Sequence, residues 1–181
     1  DYTAFAKYHS FEDPRGGGHF SGRITAALVA VGAIALSALR EKGIWIGTHL
    51  SRCAGIADRE FHDLPEDLSI LSQKSFPVLD PIAEEAMKAA ILAAREEKDS
   101  VGGVLETAIL GLPAGVGEPW FDTVEGLLSH VLFSVPGIKG VEFGDGFALA
   151  DMKGSLANDP FRMAEGTVVT AKNSNGGING G

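Results

Sequence analysis

The 181 residues, 45% of them apolar and 22% charged, are enough to bury the core of one ordinary domain, which argues against disorder. A formal charge of −9 excludes non-specific nucleic-acid binding, because an acidic surface repels phosphates, and a single cysteine, Cys53, excludes an internal disulfide or a cysteine-rich metal site. No signal peptide opens the chain and no apolar run is expected to reach the ~20 residues of a membrane span, so the expected setting is cytoplasmic and away from membranes.

From Ile24 to Leu39 almost every residue is apolar, which predicts a helix buried on all sides, ending at Gly43 behind Arg40, Glu41 and Lys42. Ile44 to Leu50 reads as a short strand, and the polar stretch from Cys53 to Pro77 as loop. A second helix is predicted from Pro81 to Glu97, with Asp80 as its cap and a buried stripe of Ile82, Ala86, Met87, Ala90 and Ala94. Val101 to Leu110 reads as a strand, and the Gly- and Pro-rich run Gly111 to Pro119 as a long turn. A third helix is expected from Phe121 to Phe133 and a strand from Ile138 to Phe143. The remainder reads as loop-rich, with a helical turn near Ala148. Irregular alternation of strands and helices, with one helix too apolar for a surface layer, predicts an α+β fold: a β-α-β sandwich with helices packed between antiparallel sheets, formed by residues 1–181 as a single domain.

The chemistry-bearing stretch is Arg15 to Thr25. Gly16, Gly17 and Gly18 allow unusual backbone angles where free amides collect at a helix start, Arg15 and Arg23 flank them, and Ser21 is placed to cap the helix. Such a turn suits an anion. The known phosphate loops fit it poorly: Arg23-Ile24 stands where a P-loop needs Lys-Ser/Thr, and Ser21 occupies the third glycine position of a dinucleotide fingerprint. Residue patterning leaves both a plain capped helix start and an anion site open.

Gly18-x-x-Ser21-Gly22-Arg23-x-Thr25, continuing through Val29, Gly32, Ala33 and Ile34, resembles the second signature of chorismate synthases. Agreement extends to Asp1-Tyr2-Thr3, Lys7-Tyr8, Gly117-Glu118-Pro119, Lys139 to Phe147, Gly154-Ser155, and Asn175 to Gly181. The resemblance implies a flavin-dependent lyase that converts 5-enolpyruvylshikimate 3-phosphate to chorismate by 1,4-anti elimination of phosphate, with reduced FMN as cofactor, NADPH as a candidate reductant, and a homotetramer as the assembly. It places His19, Phe20 and Ser21, then Pro136 and Gly137, then Gly180, at flavin contacts, and Arg15 and Arg23 at the substrate's anionic groups. The chain departs from the commonest pattern at His19, usually Arg, at Phe20-Ser21-Gly22, often Ser-Ser-Ala, and at Ile24, usually Glu.

The family's Gly-x-Ser-His-Gly signature, its Lys-Pro-Thr flavin loop and its Arg-His-Asp segment are not in these residues, so no catalytic residue is expected here and the segment alone is expected to be inactive. His49, His62 and His130 show no metal-ligand spacing to one another or to Cys53 and are read as structural or surface residues. Trp45 and Trp120 are read as packing anchors. A non-catalytic phosphate- or flavin-binding module, or an oligomerisation core, is the alternative to a lyase segment.

Overall fold

The computed structural model describes Asp1–Gly181, and its six α-helices and five strands in two antiparallel sheets make an α+β chain. These elements gather into two compact units, Asp1–Val29 with Ala114–Gly181, and Ala30–Pro113.

Helix α1, Tyr2–Tyr8, is capped by the Asp1 carboxylate, which accepts from Thr3 N–H at 2.9 Å. Two 3₁₀ turns, Gly18–Phe20 and Gly22–Ile24, then lead into α2, Thr25–Glu41. Helix α2 stops where expected. Ile44 N–H donates to Leu39 C=O and Gly43 N–H to Arg40 C=O, both at 3.0 Å, and Gly43 takes φ 78°, a Schellman ending that suits glycine.

The expected burial of α2 is corrected: none of its residues is buried, and Leu28, Val29, Val31 and Ile34 are exposed. Its sequence has no polar face to turn outward, so an uncovered α2 leaves apolar surface to solvent on every side. The expected lack of a membrane-length run is also corrected. Gly22–Glu41 forms 20 helical residues long and apolar enough to cross a membrane by length and composition, a test that the core helix of a larger fold passes equally.

Strand β1, Trp45–Cys53, turns through Ala54-Gly55, both at positive φ, into β2, Ile56–Ala57. This two-residue hairpin has the twist that matches its strands. Helix α3, Leu64–Leu71, lies in the stretch read as loop; Asp63 caps it through Glu66 N–H at 3.1 Å. It presses Leu68 onto β1 at Gly47, where a Cβ would stand 1.9 Å from Leu68 Cδ2.

Helix α4, Pro81–Glu96, forms as expected behind Asp80, which accepts from Ile82 N–H at 2.9 Å. Of its expected inward stripe Met87 is fully buried and Ala86, Ala90 and Ala94 are half-buried, but Ile82 is 81% exposed; Ala83 instead joins Met87 in the core with Cys53 and Val78, surrounded by Leu50, Ile56, Phe76 and Ile91. Spacings of four from Ala83 to Met87 to Ile91 keep these side chains on one face. Strand β3, Gly103–Leu110, pairs antiparallel with β1 from Trp45↔Leu110 to Cys53↔Gly103, with a bulge at Ser51.

In the other unit, Trp120–Asp122 is a separate 3₁₀ turn and α5 begins only at Val124, running to Leu132, because Thr123 caps it through Gly126 N–H at 3.0 Å. Trp120 is exposed at φ 72° and packs no core, and Trp45 is half exposed beneath Arg40. The expected strand from Ile138 to Phe143 does not form; the segment has no ladder partner in this chain. A 3₁₀ turn, Gly146–Asp151, and α6, Gly154–Ala157, precede a hairpin of β4, Phe161–Ala164, and β5, Thr167–Thr170. Glu165 and Gly166, both at positive φ, make its two-residue loop.

Candidate functional site

The Gly-rich turn is built around two arginines in different states. Asp13 accepts from Arg15 Nε at 2.8 Å and Nη2 at 2.6 Å, and from the Arg15 backbone N–H at 3.0 Å. These bonds hold the Asp13 carboxyl below its ordinary value and push Arg15 further up, although both groups are exposed and water screens the pair. Arg23 has no carboxylate partner. Its Nε and backbone N–H both reach Ser21 Oγ at 3.3 Å, and a Cβ on Gly16 would stand 3.6 Å from its Nη2, so the guanidinium folds back over the glycine run.

Between the arginines, the N–H groups of Gly16, Gly17 and Gly18 make no hydrogen bond within the chain. Gly17 is tightly packed, since a Cβ there would meet Ser21 Cβ at 3.1 Å, and Gly18 sits at φ 50°. Three free amides beside an unpaired guanidinium suit a phosphate or carboxylate. Asp13, Arg15, Gly16 and Gly18 line an open depression of about 410 Å³ here. Ser21 performs the expected capping, but of the short turn Gly22–Ile24 that precedes α2. Phe20 is turned edge-on to Tyr8 of α1, with ring centroids 6.2 Å apart, and His19 beside it is exposed.

Pro136 and Gly137 occupy the centre of a turn closed by Ile138 N–H on Val135 C=O at 3.3 Å, with Gly137 at φ 93° as a type II turn requires. Gly180 lies next to Gly181, whose carbonyl oxygen stands 2.3 Å from where a Cβ on Gly117 would be; the two glycine runs touch through bare backbone. Asp145 N–H likewise donates to Ser174 C=O at 2.8 Å, which joins Gly144-Asp145 to Ser174-Asn175-Gly176. The structure thus brings three of the motif segments together, with the run Asn175 to Gly181 touching both Gly117 and Gly144-Asp145. No hydrogen bond joins the Arg15–Thr25 turn to Pro136-Gly137 or to Gly180.

A second cluster, in unit Ala30–Pro113, escaped the sequence reading. His49 is fully buried on β1 between Asp58 and Glu106, and Phe61 meets its ring edge-on at 4.6 Å. Burial pushes the Asp58 carboxyl up, but hydrogen bonds from Leu79, Asp80, His49 and Arg59 outweigh burial and hold it below its ordinary value. Arg59 in turn forks onto Asp67, which also accepts from His62 N–H at 2.9 Å. The partners of His49 stand 9 and 57 residues away along the chain, so no local spacing signals them.

The family model for chorismate synthase matches residues 1–181. The chain belongs to the chorismate synthase family. A chorismate synthase of Thermococcus kodakarensis is 44% identical over 181 residues, and one of Dehalococcoides mccartyi strain BAV1 is 45% identical over 184, each alignment covering all of this chain and 50% of the relative. A chorismate synthase of Chitinophaga pinensis is 45% identical, with 45% of its length covered. The chain therefore spans about half the length of the curated relatives it matches. A solved structure described as the crystal structure of chorismate synthase superimposes with a TM-score of 0.88 at 30% identity, covering all of this chain and 58% of that one. The α+β architecture is that of the chorismate synthase fold.

Proposed function

We propose that the protein carrying these residues is a chorismate synthase that eliminates phosphate from 5-enolpyruvylshikimate 3-phosphate to give chorismate. The observation that carries this reading is the family match along all 181 residues. The residues present fit the anionic parts of the reactants: Arg23 without a carboxylate partner and the unused amides of Gly16, Gly17 and Gly18 form one cradle for negative charge. We assign Arg23 and Arg15 to the substrate's anionic groups, with Arg15 held in place by Asp13 until an anion competes for it.

Reduced FMN, when bound, supplies an electron-rich ring that assists the departure of phosphate. His19, Phe20 and Ser21, Pro136 and Gly137, and Gly180 are the residues we assign to it. Gly137 and Gly180 support that assignment by leaving open space where a side chain would stand, so a flat ring can approach the backbone. No proton-handling residue is assigned to this segment; its contribution is binding and orientation. NADPH as reductant, a cytoplasmic setting and a homotetramer complete the reading, and the uncovered α2 supports a larger assembly around these residues. The test is anaerobic turnover of 5-enolpyruvylshikimate 3-phosphate with reduced FMN by the full-length protein. Release of phosphate with formation of chorismate is expected, and its absence from folded, flavin-loaded protein would overturn the proposal.

A further inference from the structure

Both nitrogens of the buried His49 ring face carboxylate oxygens, Nδ1 at 2.7 Å from Asp58 Oδ2 and Nε2 at 2.9 Å from Glu106 Oε2. An ionised carboxylate only accepts, so both contacts are hydrogen bonds only when the ring carries a proton on each nitrogen. The two carboxylates differ in how firmly they are held. The Asp58 side chain is fully buried, and its oxygens also accept from the N–H groups of Leu79 at 2.7 Å, Asp80 at 2.8 Å and Arg59 at 2.9 Å. Glu106 has no other hydrogen-bond partner, and its side chain is 49% exposed on an open cleft of about 260 Å³ that Arg52, Arg59 and Glu60 also line.

We propose that Asp58, His49 and Glu106 form a proton-dependent latch, in which the doubly protonated ring fastens β3 to β1 and loss of the Nε2 proton releases Glu106 into the cleft. The asymmetry decides which contact yields. Asp58 cannot turn toward water without abandoning three backbone amides, whereas Glu106 can rotate to solvent and to the cleft arginines. His49 and Glu106 are also a register pair of the β1–β3 ladder, so release loosens the ladder in its middle.

Charged groups around the ring act in a known sense. From the loop after β2 come Asp58 in contact and Arg59 behind it; from the start of α4, Asp80; from α3, Asp67, which holds Arg59; from β3, Glu106; and from β1 itself, Arg52 on the cleft wall. The two carboxylates in direct contact each accept from the doubly protonated ring, and the arginines, one paired with Asp67, lie further out. The fastening is therefore present while the ring carries a proton on each nitrogen and is lost when Nε2 gives its proton up.

Hydrogen exchange followed by mass spectrometry on the full-length protein, from about pH 5 to pH 9 and corrected for intrinsic exchange, reads this directly. Amides of β3 should lose about tenfold in protection relative to the β4–β5 hairpin as pH rises, the worth of one hydrogen bond to a charged group. Glu106→Gln, a change at a half-exposed site whose amide can donate to a neutral ring or accept from a charged one, should make the β3 profile flat. A flat profile in the unaltered protein, or the same pH response in Glu106→Gln, would overturn the latch.

Discussion

At the scale of single residues, charge pairing decides more than composition does. Asp67 is buried, and the bonds from Arg59, outweighing burial, lower its pKa from 3.8 to about 2. A lowered carboxyl stabilises the fold above its unfolded pKa and loses that contribution as pH falls toward the folded value, here between about pH 4 and pH 2, with a worth of about 2 kcal/mol. Asp67→Asn should therefore cost about 2 kcal/mol at neutral pH, with the gap to the unaltered protein closing across that acid window; urea unfolding at a series of pH values measures it. A constant gap would show that Asp67 acts by shape rather than charge. Little of this was legible in the sequence, where Arg59, Asp67, His49, Asp58 and Glu106 look like ordinary polar residues. Their pairing depends on how β1, β3 and the loop after β2 are folded together, and no periodicity encodes that. The Arg15–Thr25 turn and its Ser21 cap were legible because the signal is local: glycines, flanking cations and a capping hydroxyl all fall within a few residues, and the anion site proposed there rests on the same residues.

At the scale of elements, caps were the most readable features. Asp80-Pro81 opens α4 and Gly43 closes α2, because capping chemistry is written within one turn of the helix end. Helix α3 was missed although Asp63 and Pro65 mark its start, because 8 residues in a polar stretch give too few turns for a stripe to show. The strand expected from Ile138 to Phe143 failed for the opposite reason: apolar alternation is a property of the segment, but a strand also needs a neighbour. Helix α4 ends less comfortably than α2. Its last carbonyls are satisfied by Asp99 N–H on Ala94 C=O at 2.8 Å and Lys98 N–H on Arg95 C=O at 3.0 Å, with Lys98 forced to φ 60°. Glycine takes that left-handed angle without the Cβ penalty, so Lys98→Gly should stabilise the protein by about 0.5–1 kcal/mol, read as a rise in melting temperature. A fall would mean that the lysine side chain has a role beyond the cap.

At the scale of the whole molecule, the apolar character of α2 was legible and its consequence was not. A helix without a polar face must be covered somewhere, and these residues leave it bare. The chain is about half as long as the relatives it matches, so sequence patterning here reports burial that this segment cannot itself provide. The same holds for the flavin contacts assigned at Pro136, Gly137 and Gly180, which no hydrogen bond ties to the Gly-rich turn.

In the function we propose, this turn holds an anion of the reactants during elimination of phosphate, and Arg23, unpaired and folded over the glycine run, is the residue on which that role rests. The direct measurement is steady-state turnover of 5-enolpyruvylshikimate 3-phosphate by the full-length protein with reduced FMN, comparing Arg23→Ala with the unaltered enzyme. Loss of a charge-assisted contact worth about 1.5–3 kcal/mol predicts a fall in kcat/KM of roughly ten- to a hundredfold in a protein that remains folded. Unchanged kcat/KM in the variant would show that Arg23 holds no anion of the reactants.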